Sequence, residues 1–226
     1  SVTQYTAMAS VVFSASGGRT PYAWSIDSAT PLPAGLSFDS ATATLNGTPT
    51  ATPGSYNFNV KLVDASGCPA SKNYVVVVQC PTVTINTSTP LPAGTVGTTY
   101  TQSFSATLSG TAVPAQTWSW TVSSGALPGG LTMSSGGILS GIPTTPGTFN
   151  FVVQAMNAQG CLGTKAMSVT ISCPTITLNP TSLPTGYVGA LYSQAISASG
   201  GTPNYSYAII SGVLPSGLAF NTGTGA

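Results

Sequence analysis

The 226-residue chain repeats its own sequence at a spacing of about 93 positions, and this repetition constrains the fold more than any other feature. The segment Leu32–Leu36 reads Leu-Pro-Ala-Gly-Leu, and its pattern returns at Leu127–Leu131 and Leu214–Leu218. Other segments return in the same order, among them Leu45–Pro49 at Leu139–Pro143. Several independent matches in one order indicate tandem copies of one structural unit.

The matches divide the chain into three repeats. Repeat 1 is Ser1–Cys80 and lacks the first strand of the unit, whereas repeat 2, Pro81–Cys173, is complete. Repeat 3 is Pro174–Ala226 and holds only the N-terminal part of the unit. We therefore expect the chain to be a window on a longer protein.

Within repeat 2, short runs of alternating apolar and polar residues are separated by Gly, Pro and Ser turns, which is typical of antiparallel strands. Seven strands in about 93 residues suit a two-sheet sandwich. The sequence thus predicts an all-β fold of tandem Ig-like β-sandwich domains in a rod-like array. The predicted strands are Thr82–Ile85, Tyr100–Ala106, Thr117–Val122, Leu131–Met133, Gly137–Ser140, Phe149–Met156 and Lys165–Ser172.

The last strand of repeat 1 carries apolar residues on both of its faces. With Val76 and Val78 directed inward, Val75 and Val77 point outward, where the matching positions of repeat 2 hold Ser and Thr. An exposed apolar pair marks a surface against which something packs. Val75 and Val77 are therefore candidates for lateral contact with a neighbouring domain or chain, and the alternative is an exposed pair without a role.

Aromatic residues recur at matching positions of the repeats. Trp24, Trp120 and Tyr207 match one another, and we interpret them as core side chains rather than as a platform for a sugar ring. A second group of aromatic residues could bind a polysaccharide or another surface through exposed rings, namely Tyr22, Trp118 and Tyr205.

Charged residues are almost missing, with four Lys and Arg, three acidic residues and no His. A nucleic-acid partner is excluded because it requires a clustered basic surface. Without His or Glu, imidazole zinc ligands, Ser-His-Asp and Cys-His pairs and Glu general acids are missing too, so we expect no enzyme, cofactor or metal site. The longest strongly apolar run, Val75–Val78, is far too short to span a membrane.

These motifs together resemble the He-PIG repeats, a cadherin-like Ig family of bacterial proteins. The resemblance rests on Gly94–Gly97 with Tyr100, then Leu127–Leu131, Leu139–Pro143 and Pro146–Phe149, and it covers the whole chain. It implies Ig-like sandwiches in tandem in long secreted or surface-attached proteins, often adhesins or matrix components. The family offers no catalytic residues to transfer.

Four cysteines form two pairs with the same spacing, Cys68 with Cys80 and Cys161 with Cys173. A bridge within one repeat fails on geometry, because Cys68 lies at a hairpin tip about 26 Å from Cys80 at the far end of the next strand. In tandem sandwiches the end of one repeat meets the hairpin loop of the next. We therefore predict an interdomain Cys80–Cys161 disulfide, with partners of Cys68 and Cys173 in neighbouring repeats outside this chain.

The sequence thus predicts a structural repeat region of a bacterial extracellular filament, adhesin stalk or surface matrix, stiffened by interdomain disulfides. Its partners would be itself or neighbouring repeats in a fibre. The alternative is a carbohydrate- or surface-binding module of a secreted protein. Glycosylation would supply hydration that charge does not, and its candidate residues are Ser28, Ser40, Asn46, Asn86 and Asn204.

Overall fold

The computed structural model describes residues 1–111 and 113–226. All regular secondary structure in these two ranges is β-strand, which confirms the predicted all-β fold. Among the same residues, no helix has the length and apolarity that crossing a bilayer requires.

Repeat 1 folds into two sheets packed face to face. In the first sheet, β1 pairs in parallel with β7, which continues antiparallel to β6 and then β3. The second sheet has the order β2-β5-β4. The strands are β1 (Val2–Thr3), β2 (Val11–Val12), β3 (Ala23–Ile26), β4 (Leu36–Asp39), β5 (Thr44–Gly47), β6 (Gly54–Val63) and β7 (Pro69–Gln79).

Repeat 2 reproduces both sheets and adds a two-stranded ladder. Its sheets have the orders β12-β15-β16-β9 and β10-β14-β13, and β8 pairs with β11. The strands are β8 (Val83–Ile85), β9 (Gly94–Thr95), β10 (Tyr100–Ser103), β11 (Ala106–Leu108), β12 (Trp118–Gly125), β13 (Leu131–Met133), β14 (Ile138–Gly141), β15 (Gly147–Asn157) and β16 (Leu162–Ser172).

Several strands of repeat 2 begin or end up to three residues from their predicted bounds, and two larger differences concern the strands themselves. The predicted strand Tyr100–Ala106 is two strands, because the chain leaves β14 after Ser103 and pairs with β8 from Ala106 onward. The short strand β9 was not predicted, since two residues are too few to show an alternating pattern.

Repeat 3 contains one antiparallel ladder, formed by β17 (Thr177–Asn179) and β18 (Ser197–Ser199). In this ladder Leu178 lies opposite Ala198, just as Ile85 lies opposite Ala106 in repeat 2. The ladder of repeat 3 therefore corresponds to β8 and β11 of repeat 2.

The cores of the two larger repeats differ in how fully they are buried. Among the described residues, thirteen side chains form the buried core of repeat 2, whereas four do so in repeat 1. Two of the additional core residues of repeat 2 are Ile85 in its first strand and Leu91 in the segment after that strand. Each is 4% exposed. Trp120 is accordingly buried, while its counterpart Trp24 is half-buried at the edge of its core.

Two glycines explain the recurring Leu-Pro-x-Gly-Leu and Leu-x-Gly-x-Pro motifs. Gly130 has φ +86°, and a Cβ atom there would lie 2.1 Å from the carbonyl oxygen of Ile142. Gly141 has φ +143°, and its Cβ would lie 2.0 Å from the oxygen of Gly130. The backbones of the two motifs thus touch at a distance that only glycine allows.

Candidate functional site

The junction between repeats 1 and 2 is closed by a disulfide between Cys80 and Cys161, the pairing expected from the sequence. Their Cα atoms are 5.4 Å apart, and 81 positions separate them along the chain. Cys80 follows β7 at the end of repeat 1, and Cys161 lies fully buried in the β15–β16 hairpin of repeat 2. The bridge therefore ties the end of one sandwich to a loop of the next.

A second contact crosses the same junction beside the disulfide. The backbone N–H of Thr111 donates to the carbonyl oxygen of Tyr5 at 2.9 Å, and a Cβ on Gly110 would lie 2.8 Å from the same oxygen. Tyr5 is buried and has φ +60°, where repeats 2 and 3 hold Gly97 and Gly189 with φ near +80°. Sequence reasoning missed Tyr5, although a Tyr at a Gly position of the repeat was the signal.

Asn157 shapes the loop that presents Cys161. Its side-chain oxygen accepts the backbone N–H groups of Cys161 at 2.9 Å and Gln159 at 3.1 Å. Its amide nitrogen donates to the side-chain oxygen of Gln116 at 3.0 Å, and Asn157 is 3% exposed. This buried amide holds the cysteine towards repeat 1.

The loop of Cys68 in repeat 1 has the same hydrogen bonds, with Asp64 in place of Asn157. The carboxylate of Asp64 accepts the N–H groups of Cys68 at 2.9 Å and Ser66 at 2.8 Å, and that of Arg19 at 3.0 Å. These donors, the Arg19 N–H first, lower the pKa of Asp64. Backbone donors thus occupy this carboxylate, and the described residues contain no cluster of three metal-ligating side chains.

The strand end before Cys173 likewise repeats the strand end before Cys80. The N–H of Val96 donates to the oxygen of Ser172 at 3.0 Å, and the N–H of Gln4 donates to the oxygen of Gln79 at 3.0 Å. Cys68 and Cys173 are both exposed thiols. The backbone around Cys68 therefore matches that around Cys161, and the backbone before Cys173 matches that before Cys80. The pairing of Cys68 and Cys173 with neighbouring repeats stays a prediction.

The aromatic residues considered for surface binding are engaged in their own repeats. The hydroxyl of Tyr22 donates to the carbonyl oxygen of Gly17, and that of Tyr205 donates to the oxygen of Gly200. Trp118 is half-buried against the core of repeat 2. All three side chains are half-buried.

The candidate glycosylation residues occupy different surroundings. Ser28 and Ser40 are exposed in turns, and Asn86 and Asn204 are exposed too. Asn46 is half-buried within β5, where its side-chain oxygen accepts the hydroxyl of Ser37 at 2.8 Å. Modification of any of them stays a prediction.

Val75 and Val77 point outward from β7, as the alternation along that strand requires. Val75 is 60% exposed and Val77 is 38% exposed. In repeat 2 the position of Val75 is held by the polar residue Ser168, whose backbone N–H donates to the hydroxyl oxygen of Thr89 at 3.2 Å. The apolar pair is thus a surface of repeat 1, and lateral contact through it stays a prediction.

Comparison with known proteins identifies the repeats. The He_PIG family, whose description is putative Ig domain, matches the chain three times, at residues 1–79, 81–172 and 174–226. A comparison with curated proteins finds no match.

Solved structures with some likeness include N-cadherin EC1-3 of Drosophila, at 11% identity and a TM-score of 0.45, covering 73% of this chain and 59% of that one. A putative alpha-galactosidase of Bacteroides fragilis is 26% identical with a TM-score of 0.31, covering 40% of this chain and 17% of that one. The chain spans less than two thirds of either protein. The three family matches and the paired sheets decide the assignment: the chain belongs to the He_PIG family of Ig-like domains, as tandem repeats.

Proposed function

We propose that the chain is a structural repeat region of a bacterial extracellular filament, adhesin stalk or surface matrix, stiffened by disulfides between repeats. The observation that carries the proposal is the Cys80–Cys161 bridge across the junction. Ig-like repeats suit a structural or adhesive role outside the cell, and disulfides persist in oxidising compartments. In this role the bridge acts mechanically, because a covalent link between two sandwiches restricts the rotation of one against the other.

The second contact strengthens this argument. The Tyr5–Thr111 hydrogen bond lies beside the bridge, and Pro81 directly after Cys80 removes backbone freedom from the linker. Two attachment points and a stiff linker leave fewer relative orientations than one flexible connection.

The scarcity of charge supports the same role. With seven charged side chains in 226 residues, neighbouring copies experience little like-charge repulsion. Such surfaces can lie side by side over a wide range of pH and salt, which suits an extracellular matrix or fibre.

Small-angle X-ray scattering on paired variants tests the stiffening. We expect the double variant Cys80→Ser, Cys161→Ser to keep both repeats folded but to show a broader distribution of interdomain distances than the parent chain. The control is the double variant Cys68→Ser, Cys173→Ser, which removes the two free thiols and should leave the distribution unchanged. An unchanged distribution in the first variant would contradict the proposal.

A glycan array separates the structural role from the binding-module alternative. We expect no specific carbohydrate binding by the purified chain, because the rings of Tyr22, Trp118 and Tyr205 are engaged within their repeats. Specific binding that is lost on Trp118→Ala would favour the carbohydrate-binding module instead.

A further inference from the structure

Repeat 1 holds a tyrosine at a position where the other two repeats hold glycine. Tyr5 has φ +60°, and Gly97 and Gly189 at the matching positions have φ +79° and +81°. A bulky side chain is unfavourable in this left-handed region and persists only where its surroundings fix it. Tyr5 is 5% exposed, and its backbone N–H donates to the carbonyl oxygen of Pro49 at 2.9 Å. The backbone conformation of Tyr5 therefore points to a contact that is particular to this residue.

Repeat 2 departs from the common pattern in the loop between β11 and β12. Sixteen positions separate Phe104 from Trp120, whereas the matching residues of repeat 1, Phe13 and Trp24, are eleven positions apart. Repeat 3 has the same shorter spacing as repeat 1. The loop of repeat 2 is thus five residues longer than its counterparts.

These two departures from the repeat pattern touch each other. A Cβ atom on Gly110, in the long loop, would lie 2.8 Å from the Cβ of Tyr5 and 2.8 Å from its carbonyl oxygen, so the approach requires glycine. The backbone N–H of Thr111 donates to the same oxygen at 2.9 Å. Among the three repeats, only repeat 1 has the tyrosine and only repeat 2 has the long loop. They therefore form a matched pair that is specific to this junction.

Hydrogen bonds connect the tyrosine side of this pair to Cys80. The backbone N–H of Gln4, next to Tyr5, donates to the carbonyl oxygen of Gln79 at 3.0 Å, and Gln79 directly precedes Cys80. Gln4 is 1% exposed, and its side-chain nitrogen donates to the carbonyl oxygen of Ala51 at 3.0 Å. Tyr5 is thus held in a fixed position relative to the end of β7.

The long loop is connected in the same way to Cys161. The side-chain oxygen of Gln116, in this loop, accepts the amide N–H of Asn157 at 3.0 Å, and Asn157 accepts the backbone N–H of Cys161 at 2.9 Å. In repeat 1 the position of Asn157 is held by Asp64, which accepts the N–H of Arg19 from the shorter loop. One loop therefore contacts both Tyr5 and the residue that orients Cys161.

We propose that Tyr5 of repeat 1, with Gly110, Thr111 and Gln116 of repeat 2, forms an interface that places Cys161 beside Cys80 before the bridge exists and so directs its formation. Tyr5 and Gln116 are positioning residues, which act on the cysteines through Gln4 and Asn157. A disulfide oxidant such as oxidised glutathione supplies the redox step. The two thiols lose two protons and two electrons, the Sγ–Sγ bond forms, and the S–S bond of the oxidant is reduced to two thiols.

The inference deepens the proposed structural role, on which it rests for its purpose. It concerns how the bridge forms, whereas the proposed function concerns what the bridge does.

Equilibration with glutathione measures the positioning. In the full chain carrying Cys68→Ser and Cys173→Ser, the ratio of bridged to reduced protein in a glutathione buffer gives the effective concentration of the two remaining thiols. We expect Tyr5→Gly to lower this concentration at least fivefold, and Gln116→Ala to lower it at least threefold. Tyr5→Phe, which keeps the ring, should leave it unchanged.

The matched control is Ala43→Gly. Ala43 of repeat 1 has φ +53° at a position where repeat 2 holds Gly137, so the backbone change is the same as at Tyr5 but lies away from the interface. It should leave the effective concentration unchanged. Because glycine suits φ +60°, Tyr5→Gly should not unfold repeat 1, and circular dichroism checks that it does not.

Hydrogen exchange then shows whether the interface forms without the bridge. In the variant Cys80→Ser, Cys161→Ser, the N–H of Thr111 should exchange at least tenfold more slowly than in the unfolded chain. Adding Tyr5→Gly to this variant should remove most of that protection.

Either of two results would overturn the proposal. One is an effective concentration that Tyr5→Gly or Gln116→Ala leaves unchanged, or that Ala43→Gly lowers as much as Tyr5→Gly does. The other is a Thr111 N–H that exchanges as fast as in the unfolded chain once the bridge is removed. Neither result bears on the scattering experiment, because a bridge that forms without this interface can still stiffen the junction.

Discussion

At the scale of single residues, the repeat motifs are explained by backbone geometry rather than by a ligand. Gly130 and Gly141 lie where two strands touch through their backbones, and any side chain at either position would overlap a carbonyl oxygen. Gly35 and Gly47 make the same contact in repeat 1. These positions are therefore constrained by packing.

The substitution Gly130→Ala should destabilise repeat 2 by about 3 kcal/mol, since it adds a steric overlap to an unfavourable φ. Gly160→Ala is the matched control, because Gly160 has φ +82° with no atom within 4 Å of the added Cβ. It should cost only about 1 kcal/mol. Urea unfolding measures both, and equal losses would show that the close contact contributes nothing.

At the scale of elements, one lysine attaches the first strand of repeat 2 to the last. Lys165 on β16 donates to the carbonyl oxygens of Ile85 at 3.1 Å and Thr87 at 2.7 Å. The matching Lys72 of repeat 1 has no such partners among the described residues and lies over Tyr74 instead. Among the described residues, the two equivalent lysines thus have different partners.

Replacing Lys165 with Met should destabilise repeat 2 by about 1–3 kcal/mol, because two partly buried carbonyl oxygens lose a charged donor. Hydrogen exchange should show the loss first in β8 and β11. Lys72→Met in repeat 1 serves as the control and should cost less than about 1 kcal/mol, the value of an exposed cation–π contact. A larger effect at Lys72 than at Lys165 would refute this assignment.

Sequence patterns predicted the elements with strong alternation and missed those without it. In the long strands β6, β7, β15 and β16, buried and exposed side chains alternate over ten or eleven residues. The side chains that point inward could therefore be predicted from the sequence. The disulfide followed from repeat order and hairpin geometry. The contact of Tyr5 with Thr111 could not be predicted, because it depends on how two loops from different repeats approach each other.

At the scale of the whole molecule, acidic groups are confined to one repeat. All three carboxylates lie in repeat 1, and repeat 2 has none. Hydrogen bonds lower the pKa of each below the ordinary 3.8. The first cause is the N–H of Ala29 for Asp27, the hydroxyl of Thr42 for Asp39, and the N–H of Arg19 for Asp64.

Acid should therefore destabilise repeat 1 alone. A carboxylate with a lowered folded-state pKa contributes stability that is fully present above the unfolded value and is lost as the pH falls through the folded value. We expect the hydrogen-exchange protection of repeat 1 to be constant down to about pH 4 and to fall below it. Protection in repeat 2 should not follow, and a parallel loss in both repeats would contradict the prediction.

The disulfide at the junction also decides how the chain carries tension. A force applied along the chain passes from Cys80 directly to Cys161, so the residues between them are bypassed and bear no load. Optical tweezers should record no extension of this stretch until a reductant is added. Each molecule should then lengthen by roughly 280 Å, at about 3.5 Å per residue for the 81 positions released. Force can therefore extend the residues between Cys80 and Cys161 only after a reductant has opened the bridge.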